Sequence, residues 1–217
     1  MRTLMNTLWK AVLLGCFSLP VWANEAVLEK VAIETDVKSI ERGAEALMGA
    51  CHSCHSMKYL HYRDLVSYGM DKQKVETWRG DQPLDGAILA QMGESDAMAS
   101  FGKVPPDLSL MAKARDGGAN YLYSYLLGYY LKADGMAGNH LYPETKMPDV
   151  LNVSGTTDAA QHAEIAGQAR DIVSFLAWVS DPHEAERIRL GYYVIAYLLV
   201  LTTLLYLLKN QIWSRLK

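Results

Sequence analysis

The chain has 217 residues, 50% of them apolar and 21% charged, with 21 Lys and Arg against 24 Asp and Glu. That length supplies one domain core with residues to spare. The acidic balance excludes a nucleic-acid-binding role built on bulk positive charge.

Met1 to Ala23 carries Arg2 and Lys10 ahead of an apolar run from Ala11 to Leu19, then Pro20 and Val21-Trp22-Ala23. Small residues three and one positions before a cut after Ala23 predict a secretory leader over 1–23. The apolar run is short for a bilayer span of about 20 residues. Loss of the leader removes Cys16 and leaves Cys51 and Cys54 as the only thiols. After a polar lead-in, Asp36 is the expected N-cap of a helix over Val37 to Ala50, with Ile40, Ala44, Leu47 and Met48 at helical spacing. A less regular helical pattern runs from Tyr59 to Arg79, and the Gly-, Pro- and Asp-rich stretch from Gly80 to Gly118 predicts a long loop. Beyond Gly117-Gly118, a helical face of Tyr121, Leu122, Tyr125, Leu126 and Tyr129 is expected to stop near Ala133-Asp134-Gly135. The segment from Met136 to Gly155 has no period. A last soluble helix is expected over Asp158 to Val179, broken by Asp181-Pro182. No alternating strand pattern is visible, so the expected fold is all-α with long loops.

Leu190 to Leu208 contains no charge and has the length of a membrane helix. Tyr192, Tyr193 and Tyr206 fall where interfacial aromatic rings belong, and Lys209, Arg215 and Lys217 follow without an acid. The expected organisation is an exported domain over 24–186, a single anchor helix over 187–209 and a cytoplasmic tail over 210–217. The exported domain then faces the periplasmic side of an inner membrane. Of the 21 Lys and Arg, two fall in the leader and three in the tail, leaving 16 against 24 acids. An acidic face meeting a basic partner is the expectation from that charge.

The chemistry is concentrated in Cys51-His52-Ser53-Cys54-His55. A bare C-x-x-C reads as a redox dithiol or as half of a zinc site. Zinc needs two more ligands and no second cysteine pair exists, while thioredoxin-like chemistry expects a strand-helix-strand unit that the pattern lacks. The histidine directly after Cys54 makes the motif C-x-x-C-H, the attachment signature of c-type haem. Two thioether bonds fix the porphyrin and place His55 under the iron as the proximal ligand. A large apolar cofactor also gives the long loops something to pack on.

The sixth iron position has several candidates: Met92, Met98, Met111, Met136, Met147, His61, His140 and His162. Met147 stands out, because in Lys146-Met147-Pro148 the proline biases Met147 toward an extended backbone that can present its thioether to a pocket. His140 is the second choice. A His and Met pair raises the reduction potential relative to two histidines.

CHSMKYLHYRDLV (Cys54 to Val66), VPPDLSLMAKARDGGANYLYSYLLGYY (Val104 to Tyr130), the Lys146-Met147-Pro148 loop and DIVSFLAWVSDPHEAERIRLG (Asp171 to Gly191) together resemble the cytochrome c1 family. That is the haem subunit of ubiquinol:cytochrome c oxidoreductase (cytochrome bc1) complexes, and the resemblance covers nearly all of the chain beyond the leader. It implies a class I cytochrome c-like domain carrying one covalent haem c, with Met147 as the axial methionine. It further implies Arg115 and Tyr121 near a haem propionate, and Pro105 and Pro106 along the haem edge. Ser100-Phe101-Gly102 departs from the asparagines that many relatives have before the proline pair. The implied role is to take one electron from a Rieske iron-sulfur protein and pass it to a cytochrome c. The implied setting is a membrane complex, usually dimeric, held against cytochrome b. Two rival readings remain: a tethered monohaem cytochrome serving a terminal oxidase, and a haem peroxidase or sensor with an open sixth site.

Overall fold

The structure, a computed structural model, describes residues 27–216. The leader expected over 1–23 lies outside them. Asp36 accepts a hydrogen bond from Ser39 N at 3.1 Å and starts α1 (Val37–Ala50), as its capping chemistry predicts. Ile40, Gly43, Ala44 and Leu47 form the buried stripe of that helix. They pack along α7 (Ala159–Ser180), which buries Ala169, Ile172, Val173, Phe175, Leu176 and Val179. The crossing is close at Gly43, where an added Cβ would lie 2.0 Å from the Asp171 carbonyl oxygen. Arg42 bridges the same crossing through Nε and Nη2 to the Asp171 carboxylate, at 2.7 and 3.2 Å. The lead-in segment is tied down by side chains: Glu29 N donates to Ser124 Oγ, Val31 N to Asn120 Oδ1 and Glu34 N to Ser174 Oγ.

The mostly helical expectation holds, with two small antiparallel ladders added to it. β1 (Met57–His61) pairs with β2 (Ala87–Ile88), and β3 (Tyr129–Leu131) pairs with β4 (Ala137–Asn139). Strands of two to five residues are too short to show a period of two, so the sequence carries no alternation signal for them. The Tyr59–Arg79 stretch therefore begins as strand and continues as α2 (Tyr62–Tyr68) and α3 (Lys72–Arg79), separated at Gly69, whose φ is +105°. The long loop holds two further short helices, α4 (Glu94–Phe101) and α5 (Met111–Ala114). The aromatic helix α6 (Gly118–Leu127) stops earlier than expected. Asn139 Nδ2 donates to Tyr125 O at 2.8 Å, and Gly128 sits where a Cβ would be 2.7 Å from Ser124 O. The chain then turns into the β3–β4 hairpin instead of continuing to Ala133.

At the C-terminus, Asp181 closes α7 and takes ion pairs from Lys113 and Arg187, both at 2.5 Å. α8 (Glu184–Arg215) follows as one helix of 32 residues, about 48 Å long at 1.5 Å per residue. It contains the whole uncharged stretch and none of its residues is buried. The chain is thus mostly helical, with one apolar C-terminal helix long enough to cross a membrane.

Candidate haem-binding site

The last turn of α1 runs directly into the cysteine motif. Cys51 N and His52 N both donate to Leu47 O, and the Cys51 carbonyl in turn accepts from Cys54 N at 3.1 Å and His55 N at 2.9 Å. This places both thiols and the His55 ring on one tight turn. Neither thiol is bridged. Cys51 is buried, and its thiol is pushed up to about 11, first by burial and then by the neighbouring Cys54. A redox dithiol works through a lowered pKa, so this environment is the opposite of what such chemistry requires. Among the described residues no three His, Cys, Asp or Glu side chains converge, which leaves the zinc reading without a ligand set.

His55 is 8% exposed, and its Nδ1 lies 2.7 Å from the Pro106 carbonyl oxygen. A carbonyl only accepts, so Nδ1 carries the proton and Nε2 is left with a lone pair. Burial, as the larger cause, lowers the His55 pKa against the opposing hydrogen bond to Pro106, and so favours the neutral ring that a metal needs. Leu108 N donates to Ser56 O, and Lys58 N and Tyr59 N donate to the side chains of Asp107 and Ser109. The 105–109 segment is thereby locked beside the motif. Pro106 thus enters the site through its carbonyl, a role invisible in sequence because every residue has one. His52 is also buried, but its Nε2 is committed to Leu89 O at 2.7 Å, and Gln91 N and Met92 N close back onto the His52 and Ser53 carbonyls. Its Nε2 bond ties the motif to the 89–92 segment.

Met147 is half-buried against the core. Its backbone is held at both ends: Met147 N donates to Thr145 Oγ1 at 3.2 Å, and Tyr129 Oη donates to Met147 O at 3.1 Å. Thr145 is itself hydrogen-bonded to Tyr125 Oη at 2.5 Å. Tyr129 is pushed upward, mainly by burial, and so stays a hydroxyl donor. Helical periodicity groups Tyr125 and Tyr129 as one apolar face; the signal beyond it is their hydroxyls, since buried Tyr usually finds a polar partner. Tyr121 stacks on Tyr125 at 6.1 Å between ring centroids, and the Arg115 guanidinium lies 6.0 Å from the Tyr121 ring. The structure therefore brings Arg115 and Tyr121 together, with Arg115 exposed and not ion-paired among the described residues. Pro105 lies in the extended segment before α5.

The donor set fits c-type haem. Two unbridged thiols sit on one turn with a buried imidazole whose Nε2 is free, and Met147 lies on a separate loop held through its backbone.

The description "Cytochrome C1 family" fits residues 27–216. The chain is 32% identical to "Cytochrome c1" of Allochromatium vinosum, covering 82% of this chain and 85% of that one. It is 30% identical to "Ammonia monooxygenase gamma subunit" of Nitrosomonas europaea, covering 94% of both. A solved chain of "Hyperthermophilic respiratory Complex III" aligns over 100% of both chains at 23% identity with a TM-score of 0.49.

Proposed function

The chain belongs to the cytochrome c1 family, and from that premise we propose that Cys51 and Cys54 hold its one covalent haem c, with His55 and Met147 as the iron ligands. The observation that carries this assignment is the His55 to Pro106 bond, which commits Nδ1 and leaves Nε2 free beside the two thiols. When bound, haem c supplies one-electron redox chemistry. The residues of this chain do the rest. Pro106 orients His55 and makes its free nitrogen more basic. The Tyr125, Tyr129 and Thr145 hydroxyls hold the Met147 backbone, so the thioether is presented without a large ordering cost. Arg115, with Tyr121 beneath it, offers a guanidinium to a propionate carboxylate. Pro105 contributes an apolar surface at the haem edge.

The chain is an electron-transfer cytochrome subunit of a membrane bc1 complex. We assign it the step from a Rieske iron-sulfur protein to a cytochrome c, with α8 packed against cytochrome b in a dimeric assembly. The class I arrangement is supported by the tight α1–α7 crossing at Gly43 directly before the haem motif. Lys209 and Arg215 at the far end of α8 support a periplasmic haem domain over 24–186, an anchor over 187–209 and an inside tail over 210–217. The name carried by the Nitrosomonas relative favours a second reading, a haem subunit of a monooxygenase. Purification from native membranes separates the two. A bc1 subunit brings two b-type haems, an iron-sulfur centre and inhibitor-sensitive quinol oxidation with it, and its haem stays with the denatured chain. Absence of the b-type haems would sink the first reading.

A further inference from the structure

One face of the Met147 loop carries a charge opposite to that of the domain. From Val27 to Asp96 the chain has eight Lys and Arg against twelve Asp and Glu, and from Pro148 to Glu186 one against seven. From Ala97 to Met147 the balance is five against four. Three of those five cations, Lys103, Lys132 and Lys146, line a single open cleft of about 490 Å³ that also includes Tyr142, Glu144 and Thr145. The ion-paired lysines of the described residues are Lys74 and Lys113, so these three keep their charge free. Two are held in place: the Lys103 ammonium lies 5.4 Å from the Tyr142 ring, and the Lys132 stem lies across Gly138, where a Cβ would be 2.7 Å from its Cε. Glu144 is the one acid in the cleft, and Asp134 on the nearby hairpin turn is occupied in capping Met136 N. Exposed apolar side chains lie near two of these lysines in sequence: Val104 beside Lys103, Leu131 beside Lys132 and Met136 four positions beyond it, at 44%, 62% and 61% exposure. Apolar area with a charged rim is the make-up of a transient protein-docking surface. Thr145 belongs both to this cleft and to the support of Met147, so a partner seated here touches the wall of the haem site.

We propose that this three-lysine cleft is the docking surface for the soluble electron acceptor, and that the acceptor presents a carboxylate-rich face to it. The inference rests on the electron-transfer reading above and reverses the basic acceptor that net charge alone implies. Oriented charge steers encounter and sets the association rate more than the affinity.

The test uses the intact purified complex, pre-reduced and mixed rapidly with either of two acceptors: a basic soluble cytochrome c, or the same protein with its lysines succinylated. The variants are K103E/K132E/K146E and, with the same change in total charge at exposed positions outside the cleft, K30E/K38E/K72E. At low ionic strength the cleft variant should transfer electrons to the succinylated acceptor at least about tenfold more slowly than the control variant, and added salt should shrink that gap. Retention of the wild-type reduced-minus-oxidised spectrum checks that both variants keep their haem. Rates for the two variants within twofold of each other would overturn the proposal. So would a wild type that reduces only the unmodified basic acceptor, a result that leaves electron transfer itself standing. Failure to reduce either acceptor would remove both.

Discussion

His52 and His55 are three residues apart, both buried, and do different work because each has one nitrogen committed to a different carbonyl. The motif places the two thiols and His55 together, and that much is legible from spacing alone. Which nitrogen remains free is not, because it is set by Pro106, 51 positions away. Burial holds the His52 pKa below its ordinary 6.5. Its unfolded form therefore binds more protons than the folded form below about pH 6.5, and folding stability falls as pH drops through that window. Denaturant titrations at about pH 7.5 and pH 5.5 should show the loss in wild type and a smaller loss in His52→Gln, which can still donate to Leu89 O. At the methionine, Tyr129→Phe removes the donor to Met147 O and should cost the closed loop about 1 kcal/mol, roughly a fivefold rise in the open population. Carbon monoxide binding to the ferrous protein reads that population directly, and no increase over wild type would mean the hydroxyl does not restrain the loop.

Among the elements, α1 and α7 match the expected helices to within a residue because their apolar stripes are long and bounded by Asp36, Asp158 and the Asp181-Pro182 break, whereas α8 overruns the expected anchor 187–209 by three residues at its start and six at its end, through most of the expected tail. The two ladders were not foreseen, since β2 has two residues and the register of β1 with β2 is irregular. Their formation depends on partners distant in sequence, which local pattern does not report. The end of α6 was missed for the same reason, as Asn139 captures a carbonyl that a longer helix would have used. The α1–α7 crossing gives a sharp prediction. Gly43→Ala places a methyl carbon 2.0 Å from Asp171 O and 2.9 Å from Phe175 Cβ, so the helices must separate. The expected cost is about 1–3 kcal/mol or more, seen as a lowered Tm with the haem still attached. Gly49→Ala, with nothing within 4 Å of its Cβ, is the matched control and should be neutral or slightly stabilising.

For the whole molecule, family membership and geometry act at different levels. Family membership brings the complex and the covalent haem c; the fold of this chain sets the His55 tautomer, holds the Met147 backbone and forms the basic cleft. α8 leaves the haem domain with none of its residues buried in this chain, so its apolar surface is free for lipid or for another subunit. A chain ending at His183 should consequently appear in the soluble fraction with its haem spectrum intact, and should no longer co-purify with b-type haem. A truncated chain that stayed in the membrane would mean that other contacts anchor it.

The central claim is that one iron is gripped by His55 and Met147 and so only gains or loses an electron. A redox titration of the haem in the intact complex, wild type beside Met147→Ala, tests it most directly. The account predicts that covalent haem persists while its midpoint falls by on the order of 100 mV or more, because the axial thioether is what holds the potential up. Superimposable titration curves for the two proteins would contradict it and place the sixth ligand elsewhere.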